Sequence, residues 1–144
     1  MDEAERLNEI TRKIIGCAIT VHRTLGPGLL ESAYQACLAA EFRATGLKFR
    51  EQVDVPVRYR GQVLGSGYRL DFIVEDEVII EIKSVERMER IHKAQLLSYL
   101  RLERKRVGLL LNFNVEVLRS GLHRVVNDFP ELGALSASAL EVKA

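Results

Sequence analysis

Apolar residues recur at spacings of three and four along two N-terminal stretches of the chain. This period is typical of amphipathic helices and predicts one helix over residues 3–24 and a second over residues 29–45. Glycine and proline in "LGPG" (residues 25–28) interrupt the pattern between them. Gly46 follows the second stretch and is the expected C-terminal cap.

The period changes to two over residues 49–59, where apolar and polar residues alternate as in a half-buried strand. Pro56 cannot donate a ladder hydrogen bond, so this strand is expected at an edge. "YRLDFIVEDEVIIEIKS" (residues 68–84) predicts two further strands joined by a short acidic turn. A third helix is predicted over residues 88–104.

A continuous apolar run, "VGLLLNF" (residues 107–113), predicts a central strand covered on both faces. One or two more strands are expected within residues 115–126. The order helix, helix, three strands, helix, strand, strand indicates a mixed α/β (α+β) layer fold, with a short mixed sheet flanked by helices. We expect a single domain over residues 1–130 and a C-terminal tail over residues 131–144.

Composition narrows the class of protein without identifying it. The chain has 144 residues, 47% of them hydrophobic, and its 21 basic and 20 acidic residues give a formal charge of +1. This balance neither indicates nor excludes a nucleic-acid binder. No membrane span or signal peptide is recognisable, so a cytoplasmic location is expected. Cys17 and Cys37 are expected to be reduced thiols.

Two acidic residues lie within the predicted strand pair, where an unpaired charge is costly. If "EDE" (residues 75–77) is a three-residue hairpin loop, Val74 faces Val78. Counting outward then sets Asp71 directly opposite Glu81. A loop of two or four residues would separate the two carboxylates onto opposite faces.

Strand alternation also predicts which side chains share a face. Leu70, Phe72 and Val74 are expected on one face, and Lys83 is expected on the same side of its strand as Glu81. One interpretation is a small ion-pair cluster on a solvated face. The other is a site for a hard divalent cation, since Mg²⁺ takes oxygen ligands from one or two carboxylates, waters and phosphates.

Three motifs together resemble a known family. Asp71 followed by Glu81-Ile82-Lys83 resembles the PD-(D/E)XK nuclease signature, although Leu70 stands where the signature has proline. "QLLSY" (residues 95–99) is similar to the Gln-x-x-x-Tyr motif of the RecB-like branch. "GLLESAY" (residues 28–34) matches the motif of the GxxExxY proteins, a bacterial group of this superfamily.

The resemblance implies an αβββαβ core with an extra N-terminal helix, and phosphodiester hydrolysis that depends on Mg²⁺ or Mn²⁺. It implies that Asp71 and Glu81 are metal ligands, with the backbone carbonyl of Ile82 as a third and Glu31 as an additional acid. Lys83 would orient the attacking water or stabilise charge on the phosphate.

Supporting residues have competing interpretations. Glu31 lies in the first turn of a predicted helix, where an acid also favours the helix dipole. Gln95 is expected to support the site, and Tyr99, one turn later, to be part of the core. His22 is expected to be structural, and His92 is a weak candidate for a phosphate contact.

The leading hypothesis is therefore a metal-dependent nuclease with Asp71, Glu81, Lys83, Glu31 and Gln95 as its candidate catalytic residues. The alternative is a catalytically silent nuclease-fold module that binds nucleic acid or a protein. The substrate is expected to be DNA or RNA, with no membrane involved. A domain this small does not easily wrap a duplex alone, which favours a homodimer or a protein partner.

Overall fold

The computed structural model describes residues 1–127, so the expected C-terminal tail (residues 131–144) lies outside the described residues. Their elements are α1 (Glu3–Leu25), α2 (Glu31–Thr45), β1 (Phe49–Tyr59), β2 (Gln62–Val74), β3 (Val78–Lys83), α3 (Arg90–Glu103), β4 (Val107–Asn112), a 3₁₀ turn (Leu118–Gly121) and β5 (Leu122–Val126). The predicted order is confirmed. Between β4 and residue 127, the structure describes one strand, β5, preceded by the 3₁₀ turn.

Local sequence accounts for the helix ends. The Asp2 side chain caps α1 by accepting a hydrogen bond of 2.8 Å from the Glu5 N–H. Gly46 ends α2 in the left-handed conformation, with φ 78°, as predicted. Glu89 and His92 form a capping box at the start of α3: the Glu89 N–H donates to His92 Nδ1 at 3.1 Å.

Within the described residues the strands form one sheet in the order β1-β2-β3-β4-β5. Neighbouring strands are antiparallel except for the parallel pair β3 and β4. β1 is an edge strand, as Pro56 indicated, and every residue of β4 is buried. The mixed sheet and its flanking helices confirm the predicted fold class.

Apolar side chains form a separate core on each face of the sheet. The larger core packs α1 and α2 against one face, and the smaller packs α3 against the other. Cys17 is buried and Cys37 half-buried, and both thiols are free. No helix within residues 1–127 is long and apolar enough to cross a membrane.

The prediction that Leu70, Phe72 and Val74 share a face is wrong. Phe72 and Val74 belong to the larger core, whereas Leu70 belongs to the smaller one. The pairing of β1 with β2 is irregular at this point: Gln52 of β1, between the residues paired with Phe72 and Leu70, has φ 48°. Strand alternation holds for regular extended strands, and the exchange of faces coincides with this irregular pairing.

Candidate active site

The strands β2 and β3 pair over only three positions and then separate. Val74 faces Val78 and Phe72 faces Ile80, which confirms the three-residue loop. Beyond that pair, β2 continues against β1 and β3 against β4, so the sheet divides into a fork. Asp71 and Glu81 are the next residues on the two arms of the fork.

The Asp71 carboxylate bridges the two arms. Its Oδ2 atom accepts a hydrogen bond of 2.7 Å from the backbone N–H of Ile82. That amide has lost its strand partner because β2 and β3 have diverged, and an unpaired buried N–H is costly. The Gln52 side-chain amide approaches the other oxygen, Oδ1, at 3.4 Å. Asp71 is therefore held in the fork by the backbone of the neighbouring strand.

Glu81 is a buried carboxyl beside a second carboxyl. Its residue is only 6% exposed, and its Oε1 atom has no hydrogen-bond partner among the described residues. Burial, followed by the charge of Asp71, raises its pKa from 4.5 to about 9. Glu81 therefore carries a proton at neutral pH unless a cation offsets the two carboxylates.

Polar and charged groups of β3 and α3 lie close to this pair. Lys83 is half-buried, and its positive charge lowers the pKa of Glu81, in opposition to the larger effects of burial and of the Asp71 charge. Tyr99 of α3 is 5% exposed, and burial and the charge of Glu81 raise its pKa to about 12. Its ring lies 5.3 Å from the ring of Tyr68 on β2. Tyr99 is thus both part of the core, as expected, and a neighbour of the carboxyl pair.

The end of β3 is fixed by a buried amide. Asn112 of β4 donates to the Val85 carbonyl at 2.9 Å and accepts from the Val85 N–H at 3.1 Å. The Ser84 hydroxyl donates to the Leu29 carbonyl at 2.6 Å and so ties this end of β3 to the turn before α2. Lys83 thus precedes a segment that is anchored at two places.

The turn before α2 is organised around a tyrosine. The fully buried Tyr34 hydroxyl donates to the Gly26 carbonyl at 2.6 Å and accepts from the Leu29 N–H at 3.2 Å. Its ring stacks on Phe113 with centroids 4.5 Å apart. Gly28 has φ 98°, which residues with a Cβ rarely adopt. The glycine and tyrosine of the "GLLESAY" motif thus shape the turn that precedes Glu31.

A pocket of about 340 Å³ opens beside the fork on the α2 side, and Glu31, Asp71 and Ile82 all line it. Its lining also includes Glu51 and Gln52 of β1 and Gln35 of α2. The sequence motifs did not indicate these three residues. Gln35 lies one turn after Glu31, so the helical period alone would have suggested it.

Gln35 links the helix to both strands. Its side-chain amide donates to Glu51 Oε1 at 3.2 Å and to the backbone carbonyl of Asp71 at 3.3 Å. Arg43 lies 3.6 Å from the other oxygen of Glu51. No sequence signal indicated Glu51, because its place in the pocket depends on how β1 lies against α2.

The remaining candidates lie outside this group of contacts. Gln95 is exposed on α3, one turn before Tyr99, and its supporting role stays a prediction. His92 belongs to the capping box, which accounts for its position without a phosphate. His22 is buried, and its Nε2 atom lies 2.7 Å from the Val115 carbonyl, consistent with the expected structural role.

A divalent cation fits the fork through two carboxylates. Among residues 1–127, no three His, Cys, Asp or Glu side chains gather closely enough to hold a metal ion, so Glu31 does not complete a three-acid cluster. Mg²⁺ needs only one or two carboxylates when waters and phosphate oxygens fill its other positions. The partnerless oxygen of Glu81 and the oxygen-only donor set agree with such an ion.

Comparison with known protein families shows which family the chain belongs to. A model of the PD-(D/E)XK nuclease superfamily matches residues 8–125, which span both cores and the fork. The chain belongs to the PD-(D/E)XK nuclease superfamily. No curated protein and no solved structure matches it significantly. Nucleases of this superfamily generally use divalent metals, in agreement with the oxygen donors of the fork.

Proposed function

We propose that this PD-(D/E)XK protein hydrolyses phosphodiester bonds of DNA or RNA with Mg²⁺ or Mn²⁺. The observation that supports the proposal most strongly is the pair of carboxyls at the fork. Glu81 is buried against Asp71 at a cost that raises its pKa to about 9. Burying one carboxyl beside another costs free energy in a structural role. The same pair becomes favourable when a cation binds between the two groups.

Each residue of the fork has a distinct proposed role. Asp71 and Glu81 would hold the ion, together with the Ile82 carbonyl, and Glu31 would approach from the α2 side of the pocket. A bound ion lowers the pKa of a water molecule and neutralises charge on the phosphate. Lys83 would orient that water or hold the phosphate, because its ammonium is a compact donor that cannot ligate a cation. Gln95 would support the phosphate from α3.

The finer family assignment is part of the same proposal. "GLLESAY" (residues 28–34) and "QLLSY" (residues 95–99) support membership of the GxxExxY group and of the RecB-like branch. The burial of Tyr34 and its two hydrogen bonds to the turn give the first motif a physical basis. A cytoplasmic location and a homodimer or protein partner remain proposals.

Metal binding tests the first step. Titration calorimetry should show Mg²⁺ or Mn²⁺ binding to the wild type and none to Asp71→Asn. Asparagine keeps an oxygen that accepts from the Ile82 N–H, so the fork should stay closed while the charge is lost. Equal heats from both proteins would refute the role of Asp71.

Cleavage tests the second step. Single-stranded and duplex DNA and RNA are incubated with each protein and the ion, and the products are separated by gel electrophoresis. Cleavage by the wild type but not by Lys83→Met supports the proposal, because methionine keeps the length of the side chain without its charge. If preparations of both proteins cut equally, the activity belongs to a contaminant and the proposal fails.

The second candidate function is a nuclease-fold module that binds nucleic acid or a protein without cutting. It is favoured by the absence, within residues 1–127, of a third acid gathered beside Asp71 and Glu81. Ion binding without cleavage of any of the four substrates would select this candidate.

A further inference from the structure

A second pocket lies on the other side of the sheet, between β1 and the C-terminal end of α3. It has a volume of about 620 Å³, and its lining includes Arg58 from the strand and Arg101 and Arg104 from the helix. We call it the arginine pocket after these three residues. Glu103 is the one acid in its lining.

The three arginines are not used for ion pairs within the described residues. By contrast, Arg69 on the neighbouring strand lies 3.2 Å from Asp54 and forms an exposed pair. No such partner is found for Arg58, Arg101 or Arg104 among residues 1–127. The lining of the pocket therefore carries three arginines and one acidic residue, and this excess of positive charge favours anions.

Helix termination alone does not account for this cluster. Cations in the last turn of a helix interact favourably with its dipole, which is sufficient reason for Arg101. Arg104, however, occupies the left-handed cap position with φ 55°, where glycine or asparagine is usual. Arg58 lies on a strand and gains nothing from the dipole.

The arginine pocket lies on the α3 side of the sheet, and residues near both of its walls adjoin Glu81. Tyr99 on α3 lies two to five residues before the two helix arginines, and Val55 on β1 pairs with Tyr68. Five helical residues span about 7.5 Å. The charge of Glu81 acts on Tyr99, whose ring lies 5.3 Å from the ring of Tyr68, so the pocket is a near neighbour of the Glu81 side of the fork.

We propose that Arg58, Arg101 and Arg104 bind phosphate groups of the nucleic-acid strand whose backbone is cut at the fork. This inference rests on the proposed function for the choice of ligand. Arginine forms bidentate hydrogen bonds with phosphate oxygens, and an array of cations beside a cleavage site fixes the position of the strand without reading its sequence. Tyr68, which is 44% exposed, offers a ring surface for base stacking near the pocket.

Binding is measured in EDTA, so that the result does not depend on cleavage. The fluorescence anisotropy of labelled single-stranded and duplex oligonucleotides is titrated with protein at salt concentrations from about 50 to 200 mM. The test variant carries Arg58→Gln, Arg101→Gln and Arg104→Gln, which keep much of each side chain. The matched control carries Arg12→Gln, Arg23→Gln and Arg119→Gln, three exposed arginines outside the pocket.

If all three arginines contact phosphates, the slope of log Kobs against log salt should become less steep by about 2 for a single strand, or about 3 for a duplex. A change of about 2 corresponds to roughly a hundredfold weaker binding at 0.1 M salt. The control triple should keep the wild-type slope. The single variant Arg58→Glu should also weaken binding. Because Arg58 is exposed on its strand, this variant tests the inference even if the triple variant misfolds.

Several outcomes overturn the inference. They are an unchanged slope and affinity in the test triple, equal losses in both triples, or no binding by the wild type at any salt concentration. The two proposals fail separately. Wild-type cleavage with an unchanged test triple removes the arginine site and leaves the nuclease, whereas arginine-dependent binding without cleavage removes the nuclease and leaves the site.

Discussion

The hydroxyl group of Tyr34 offers a sharp test of how the turn before α2 is held. Tyr34→Phe removes one oxygen and keeps the ring that stacks on Phe113. Two hydrogen bonds are lost, one to the Gly26 carbonyl at 2.6 Å and one from the Leu29 N–H at 3.2 Å. At about 1 kcal/mol of net stabilisation each, the free energy of unfolding should fall by about 2 kcal/mol.

Urea denaturation followed by circular dichroism measures this loss. With a slope of about 2 kcal/mol per molar, the midpoint should move down by about 1 M while the slope stays constant. Hydrogen exchange adds a local readout, since the Leu29 amide should exchange faster in the variant. Because the same turn leads into Glu31, cleavage should fall even at temperatures where the variant remains folded.

Tyr59→Phe is the matched control, because Tyr59 is 58% exposed and its hydroxyl has no hydrogen-bond partner within the described residues. Its free energy of unfolding should stay within about 0.5 kcal/mol of the wild type. The reasoning is refuted if Tyr34→Phe behaves like this control, or if the Leu29 amide exchanges at the wild-type rate.

Three further predictions concern the fork and its surroundings. Asp71→Ala should lower the free energy of unfolding by about 1–3 kcal/mol because it leaves the Ile82 N–H without its partner, whereas Asp71→Asn should lose less; equal losses in urea titrations would contradict this. In EDTA, the free energy of unfolding should fall as pH rises between 4.5 and about 9, because folded Glu81 keeps a proton that the unfolded chain has released. Glu81 contributes at most about 1.4 kcal/mol per pH unit to this pH dependence. Urea titrations of Glu81→Gln over the same pH range should lack that contribution. The same pH dependence in both proteins would refute the raised pKa of Glu81. Gly121→Ala should cost more than about 2 kcal/mol, because the added methyl group would collide with the Asn112 carbonyl oxygen; an unchanged melting temperature would count against that contact.

Much of the fold was predictable because its signals are local. The three-residue loop at residues 75–77 set the register of β2 and β3, and the apolar run of β4 indicated a strand covered on both faces. The capping box of α3 was not predicted, since Glu89 and His92 do not fit the usual Ser/Thr and Glu/Gln pattern. The exchange of faces at Leu70 also escaped prediction, because no sequence signal indicates the irregular pairing of β1 and β2 beside it.

The candidate site was predictable to a similar degree. Spacing alone predicted that Asp71 and Glu81 lie opposite each other; they are the next residues after the last β2–β3 pair, where the two strands separate. The burial of Glu81 depends on how α3 packs over the sheet, which periodicity does not specify. The contribution of Glu51 to the pocket depends on how β1 lies against α2. The clustering of Arg58 with Arg101 and Arg104 depends on a contact between residues more than forty positions apart in the chain.

The hydrogen bond from Ile82 to Asp71 has a consequence for how such a protein can evolve. The Asp71 side chain accepts a hydrogen bond from a backbone amide that has no backbone partner on β2, and it also supplies negative charge at the fork. A descendant protein that no longer cut nucleic acid would still lose folding stability if an apolar residue replaced this aspartate. When activity is lost in evolution, substitutions should therefore appear first at Lys83 or Glu81. Asp71 should be retained because the fold depends on it.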